Sequence, residues 1–506
     1  MRISINRKVK TPIYLQIKNQ IRDMIFSNAI VEGFSLPPER KLAEVLGVNR
    51  STVIKAYQEL KADGLIGSHV GKGTVVLPQI FSKSSFDEKQ ANPMPWYQLF
   101  NETTTINNGH IISDIMEVAS YKDIISLAGG IPAPDLYPIK EIEGIQSKLF
   151  KNHGKDLLLQ SPVEGYYPLR ESISSLLRNR QIEVSPREVM VLSGSQQGLD
   201  FAARIFIRPG DTVIVEEPTF FGAIQLFRAA GARVIGVPID ENGIRTDILE
   251  PLLVRHKPKF IYTLPTFQNP SGVTMSLERR YELLNLAYQY QIPILEDDPY
   301  GEIRYDGISI PPLKALDRHG YVMYLSTFSK VLCLGLRVGW IVAPQQVLSK
   351  FAYLKQITDL HVNTPSQWIL DRFIRKGLYE KHIKLIGKEY AFKRNVMIEA
   401  LERYKVQDIV WNEPEGGYYI WCRLPKNITQ TKLIAKASNK GVVYVPGEAF
   451  YPYGTQGESY IRLNYTYPSV DQIEEGIKYL MEAVKETLEE TKDLIKDIEY
   501  YKKPIV

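Results

Sequence analysis

From Val189 to Lys330 the chain repeats one pattern: a short apolar run that ends in polar residues, then a helical stretch. VMVLSGS (189–195) is followed by QQGLDFAARIFI, and TVIVEEPTF by FGAIQLFRAAG. RVIGVPI, KFIYTLPTFQNPSG, IPILEDDPY and VMYLSTFSK are further runs of the first kind. Their alternation with helices predicts an α/β domain on a largely parallel sheet. Ligands of such sheets sit beyond the carboxyl ends of the strands. The polar clusters stand at those ends, where all of them are able to line one site.

Each cluster offers its own chemistry. Gly194, Ser195 and Gln196 form a small turn at a helix N-terminus, suited to an anion such as phosphate. Phe220 suits stacking on a flat ring, and Asn269 suits donation to an oxygen. Asp297 is able to pair with a protonated pyridine nitrogen, and Tyr300 to reach a phenolic oxygen. In LSTFSKVLCLGLRVGW (325–340), Thr327, Ser329 and Arg337 add phosphate donors and Lys330 adds an amine. Lysine amines form Schiff bases with carbonyl compounds. Singly, Asn269-Pro270 reads as a turn, Asp297 as a strand-end cap and Lys330 as a solvated side chain. Together they supply every contact that pyridoxal phosphate requires.

At 506 residues the chain is long enough for about two to four domains. Neither a signal-peptide segment nor an apolar run of membrane-span length is expected, which points to the cytoplasm. Two cysteines and seven scattered histidines offer no ligand spacing, so no metal is expected.

Charge is divided unevenly. Residues 1–78 hold 12 Lys and Arg against 6 Asp and Glu, leaving 50 against 51 in the remainder. A basic excess confined to one end is the footprint of a nucleic-acid-binding module. Ile13, Ile17, Ile21, Met24 and Ile25 fall at helical spacing after Pro12. A second helix is expected from about Pro38 to Leu46, a turn at Gly47-Val48, and a third helix capped by Asn49 or Ser51 and ending near Gly64. Two helices joined by a short Gly turn form a helix-turn-helix. LIGSHVGKGTVVL then reads as a hairpin wing. Arg40, Arg50, Ser51, Thr52, Lys55 and Lys72 are the DNA-contact candidates. Residues 79–120 read as a polar linker whose Phe86, Trp96, Tyr97 and Phe100 suit docking on the large domain.

LPPERKLAEVLGVNRSTVIKAYQELKADGLIGSHVGKGT resembles the winged helix-turn-helix head of GntR-type regulators. That resemblance implies dimeric operator binding through Arg40, Arg50, Ser51 and wing Gly71. SGSQQGLD, EEPTF, QNPSG, EDDPY and STFSK…GLRVGW resemble the fold-type I aminotransferases. By that likeness Lys330 holds the cofactor as an aldimine and Asp297 partners its pyridinium. Asn269 and Tyr300 bind the ring oxygen, Phe220 stacks, and Ser195, Gln196, Thr327, Ser329 and Arg337 hold phosphate. SYIRLNY places Arg462 as the α-carboxylate receptor, and GYYIWCRLP and VVYVPGEAF resemble the small C-terminal α+β domain. Gln160 stands where the family has a Tyr reaching across its dimer, which weakens the expectation of full catalytic competence.

The whole chain resembles the MocR/GabR group. The implied protein is a PLP-binding regulator that senses an amino compound or B6 vitamer at Lys330 and forms a head-to-tail homodimer. The rival expectation is a working aminotransferase carrying a DNA-binding head. The expected domains are 1–78, the linker 79–120, the PLP-binding body 121–490 and a charged tail 491–506.

Overall fold

The computed structural model describes residues 1, 3–7, 11–27, 29–69, 73–78, 94, 99, 115, 117–118, 121 and 123–501, with side chains through 491. The wing-tip candidates Gly71 and Lys72, and the linker aromatics Phe86, Trp96, Tyr97 and Phe100, lie outside the described residues. The chain divides into two compact units, Met1–Leu99 and Phe100–Val506.

In the first unit α1 (Ile13–Phe26) buries Ile17, Ile21 and Ile25, one residue per turn on a single face. Gly47 adopts φ +61° and ends α2 (Glu39–Leu46), a left-handed stop that favours glycine. The chain then enters α3 (Arg50–Ala62), which buries Val53, Ala56, Tyr57 and Leu60. Asn49 stands at the N-cap, yet neither it nor Ser51 caps by its side chain. The Thr52 N–H is met instead by the Asn49 backbone carbonyl at 3.0 Å. Strands β1 (Ile66–His69) and β2 (Gly73–Val76) pair antiparallel as the wing. Ser35 bridges to Val75 along the hairpin's edge, a third segment that sequence patterning did not signal.

The second unit is built on eight strands: β4 (Val189–Leu192), β5 (Thr212–Glu217), β6 (Arg233–Asp240), β7 (Gly243–Ile244), β8 (Ile261–Thr263), β9 (Ile294–Asp297), β10 (Val322–Thr327) and β11 (Gly339–Val342). Chain-order β3 (Ile125–Ser126) lies elsewhere. Their spatial order is β4-β11-β10-β9-β8-β5-β6-β7. Strands β10, β9, β8, β5 and β6 are parallel neighbours, as the alternation predicts. Strand β11 runs antiparallel to both β10 and β4. The connection from Thr327 to Gly339 contains no helix to carry the crossover that a parallel return needs. Every residue of β9 and β10 is buried, including Glu296, Asp297, Ser326 and Thr327 at their carboxyl ends.

A smaller antiparallel sheet has the order β12-β13-β16-β15, from β12 (Val410–Trp411), β13 (Tyr419–Arg423), β15 (Val445–Pro446) and β16 (Tyr460–Asn464). The remaining strand, β14 (Val442–Val443), pairs in parallel with β3. In the smaller sheet the register of β13 on β16 sets Trp421 opposite Arg462 and Tyr419 opposite Asn464. The last helix runs unbroken from Val470 to Tyr501. No helix among the described residues is long and apolar enough to cross a membrane.

Candidate functional site

At the carboxyl ends of the parallel strands lies a cavity of about 270 Å³. Its walls include Ser195, Gln196, Phe220, Asn269, Asp297, Tyr300, Thr327, Ser329, Lys330, Arg337 and Arg462. Every sequence candidate in the large unit therefore reaches one space. Gly130 and Tyr419 share these walls and were not singled out from sequence. They come from far along the chain, and only the tertiary fold brings them to Lys330.

One end of the cavity is an anion seat. The helix Ser195–Phe206 points its N-terminus there, with Gly194 before it at φ +94°. A Cβ on Gly194 would stand 2.6 Å from Arg337 Nη2, so only glycine lets the guanidinium approach. Arg337 Nη2 donates to the Ser193 carbonyl at 3.2 Å, and Thr327 Oγ1 donates to Ser329 Oγ at 3.0 Å. Arg337 itself adopts φ +51°, a left-handed conformation that is uncommon outside glycine. Gly339 of β11 presses on the same turn, since a Cβ there would lie 2.8 Å from the Ser195 nitrogen.

Behind the seat is a network missed from sequence. Ser193 Oγ and Gln197 Nε2 donate to Asp359 Oδ2 at 3.0 and 2.8 Å, and Lys355 Nζ donates to Asp359 Oδ1 at 2.9 Å. Lys355 is wholly buried. Its ammonium is satisfied by Asp359 and by Gln197 Oε1 at 3.1 Å, which locks the turn from below.

At the centre, Lys330 Nζ donates to the Gly130 carbonyl, and the Lys330 carbonyl accepts from Tyr418. Burial pulls the Lys330 amine below the usual lysine range. Asp297 Oδ2 accepts from the Tyr262 hydroxyl at 2.9 Å, while its Oδ1 is buried with no hydrogen-bond partner among the described residues. Burial raises the Asp297 carboxyl to about 7. A buried carboxylate oxygen left unpartnered on a residue that lines this cavity fits a cationic ring nitrogen. Together with the anion seat and the Lys330 amine, the donor set fits pyridoxal phosphate.

Neighbouring acids in EDDPY face apart, as strand geometry requires. Glu296 accepts from the N–H groups of Leu313 and Lys314 at 2.9 and 2.8 Å. Asp298 forms a buried ion pair with Arg180 at 2.7 Å and accepts from Tyr324 at 2.9 Å.

At the far end Arg462 Nη1 donates to Asn269 Oδ1 at 3.0 Å and Nη2 to the Ala128 carbonyl at 2.7 Å. Its Nε is buried and has no partner among the described residues. The guanidinium lies 4.1 Å from the Tyr419 ring centroid and 5.0 Å from that of Phe450.

In the first unit Arg40, Arg50, Ser51 and Lys55 are exposed and Thr52 is half-buried. Arg50, Ser51 and Thr52 open α3. Lys55 Nζ lies 4.2 Å from the Tyr14 ring centroid, so its ammonium is partly engaged within the unit. Lys18 is taken up by Glu59 and Asp63 at 3.1 and 2.9 Å.

Residues 122–480 match the family of class I and II aminotransferases, and residues 13–76 match the gntR family of bacterial regulatory proteins. The chain is 40% identical to aromatic-amino-acid aminotransferase 1 of Thermococcus litoralis, over 79% of its own length and 98% of that protein's. It is 32% identical to the HTH-type transcriptional regulator YdfD of Bacillus subtilis, over 94% of its own length and 97% of the relative's. The crystal structure of Pyrococcus horikoshii kynurenine aminotransferase superposes with a TM-score of 0.75 at 41% identity, covering 78% of this chain and 99% of that one. Pyridoxal phosphate is the cofactor that this body implies. With a GntR head and a complete aminotransferase body on one polypeptide, the chain belongs to the HTH-type transcriptional regulators of the MocR kind.

Proposed function

We propose that the protein is a pyridoxal phosphate-binding transcription regulator that senses an amino compound or a B6 vitamer at Lys330 and answers by changing how it holds DNA. One observation carries this reading: Lys330, Asp297 and Arg462 line a single cavity in a chain whose other unit is a GntR head. When bound, the cofactor supplies an aldehyde that captures amines and a ring that draws electrons from them.

The chain's own residues do the rest. Burial lowers the Lys330 amine from the usual lysine range, which favours the free-base form that covalent attachment needs. Asp297 Oδ1 would accept a hydrogen bond from the protonated ring nitrogen, Asn269 and Tyr300 would hold the ring oxygen, and Phe220 would cover the ring. Ser195, Gln196, Thr327, Ser329 and Arg337 hold the phosphate. Arg462 receives a carboxylate on the incoming compound, a task that suits the planar fork of guanidinium. Arg40, Arg50, Ser51, Thr52 and Lys55, with Gly71 and Lys72 of the wing, meet operator DNA in the cytoplasm.

A head-to-tail homodimer belongs to the same reading. Tyr353, Ile357 and Leu360 are exposed at one-turn spacing, and Leu158 and Leu159 are exposed beside Gln160. The Leu159 carbonyl accepts from Thr364 Oγ1 at 2.9 Å, at the start of the helix that follows Leu360. Such an apolar patch favours cover by a second copy.

A second reading, a working transaminase with a DNA-binding head, draws on the intact Lys330 and Arg462. Purified protein treated with pyridoxal phosphate should be yellow, and Lys330→Ala should abolish that absorbance. A colourless wild type would overturn the proposal, and multiple turnover of an amino acid with a keto acid would favour the second reading.

A further inference from the structure

We infer that Tyr419 is a positioning residue that ties the carboxylate receptor to the ring-oxygen end of the site, through its ring on Arg462 and its hydroxyl on Tyr300. This rests on the cofactor reading above and extends it to a residue outside that set.

Three contacts place Tyr419 between the two ends. Its ring lies 4.1 Å from the Arg462 guanidinium carbon, so the cation sits over the negative face of an aromatic ring. Its hydroxyl stands 3.0 Å from that of Tyr300, both buried. That hydroxyl also occupies the space a Cβ on Gly130 would need, and Lys330 Nζ lies 3.7 Å from the same point. Gly130 is therefore the residue that makes room for a tyrosine here.

The geometry has a chemical consequence. Two phenols sharing one hydrogen bond have one proton between them and one left over. When Tyr419 accepts, Tyr300 has no proton to offer an oxygen in the cavity; when Tyr419 donates, Tyr300 keeps its own proton for that oxygen. Tyr300 stays protonated at neutral pH, because burial and then Tyr419 push it well above the usual phenol range. The Tyr419 hydroxyl therefore decides which way the Tyr300 proton points. Its ring meanwhile fixes the plane of Arg462, whose unpartnered Nε lies in that plane. A carboxylate arriving at Arg462 is felt at Tyr300 through one side chain.

The test uses full-length protein loaded with pyridoxal phosphate and reads the bound cofactor's absorbance against pH, with propionate as a carboxylate probe that carries no amine. Tyr419→Phe keeps the ring and removes the hydroxyl. It should move the absorbance midpoint by about half to one pH unit, the size one lost hydrogen bond gives. Tyr419→Leu removes both and should also weaken propionate about five- to thirtyfold. An unmoved midpoint in Tyr419→Phe overturns the inference, even if Tyr419→Leu fails to fold. A wild type that takes up no cofactor overturns the cofactor reading beneath it, so the two failures are told apart.

Discussion

Arg462 and Asn269 are joined across 193 residues of sequence by one hydrogen bond, Nη1 to Oδ1 at 3.0 Å. The bond takes up the amide oxygen, and Arg462 Nε is left buried without a partner among the described residues. Arg462→Lys keeps the charge and loses the fork. Affinity for carboxylate-bearing amines should fall about ten- to a hundredfold, as expected when a charge-assisted hydrogen bond is lost. Titrating the loaded protein with an amino acid and with its decarboxylated amine measures this, because only the former should weaken.

Gly194 is held at φ +94° with Arg337 Nη2 pressed against it. Gly194→Ala should strain the turn by on the order of 1–3 kcal/mol and push the guanidinium from the seat. The dissociation constant for pyridoxal phosphate should rise by about tenfold or more. Equilibrium dialysis measures it, and the DNA affinity of the cofactor-free protein should be unaltered.

The Arg180–Asp298 pair is buried on both sides, with side-chain exposures of 7% and 0%. Arg180→Met strands the carboxylate and should destabilise the large unit by about 3–5 kcal/mol. Adding Asp298→Asn should recover part of that loss. Urea unfolding followed on the isolated large-unit transition reads both variants.

Asp297 gives the cofactor-free protein a pH signature. Its folded carboxyl titrates at about 7 through burial, well above the ordinary aspartate, so the folded chain binds this proton more tightly than the unfolded one. The group's stability contribution is full below about pH 4 and is lost as pH rises through about 7. Glu296, also raised to about 7 by burial, adds the same sign. Asp297→Asn should therefore gain melting temperature relative to wild type at pH 8 but not at pH 5. Bound pyridoxal phosphate should shrink the difference, since a ring cation stabilises the ionised Asp297.

Much of this site was legible because its residues obey a local rule: each stands at or just beyond the end of an apolar run in a largely parallel sheet. Asp297, Thr327 and Lys330 could be named from that rule alone. Gly130, Tyr262, Tyr419, Lys355 and Arg180 could not, because their roles come from partners far away in sequence. Tyr262 reads as one more core residue of an apolar strand until Asp297 is seen beside it. Strand β11 was hidden for another reason, since its four residues are too few to show a direction. In the head, helix spacing found α1 to α3, while Ser35 pairs with the wing from a stretch with no strand-like pattern.

The central claim is that occupancy of the Lys330 cavity alters the hold on DNA, and fluorescence anisotropy on the protein's own promoter fragment tests it directly. Cofactor-free and pyridoxal phosphate-loaded wild type are compared with Lys330→Ala treated in the same way. The account predicts that loading changes wild-type DNA affinity about fivefold or more, and leaves Lys330→Ala unchanged. Equal DNA affinity of loaded and unloaded wild type, with the cofactor demonstrably bound, would contradict it.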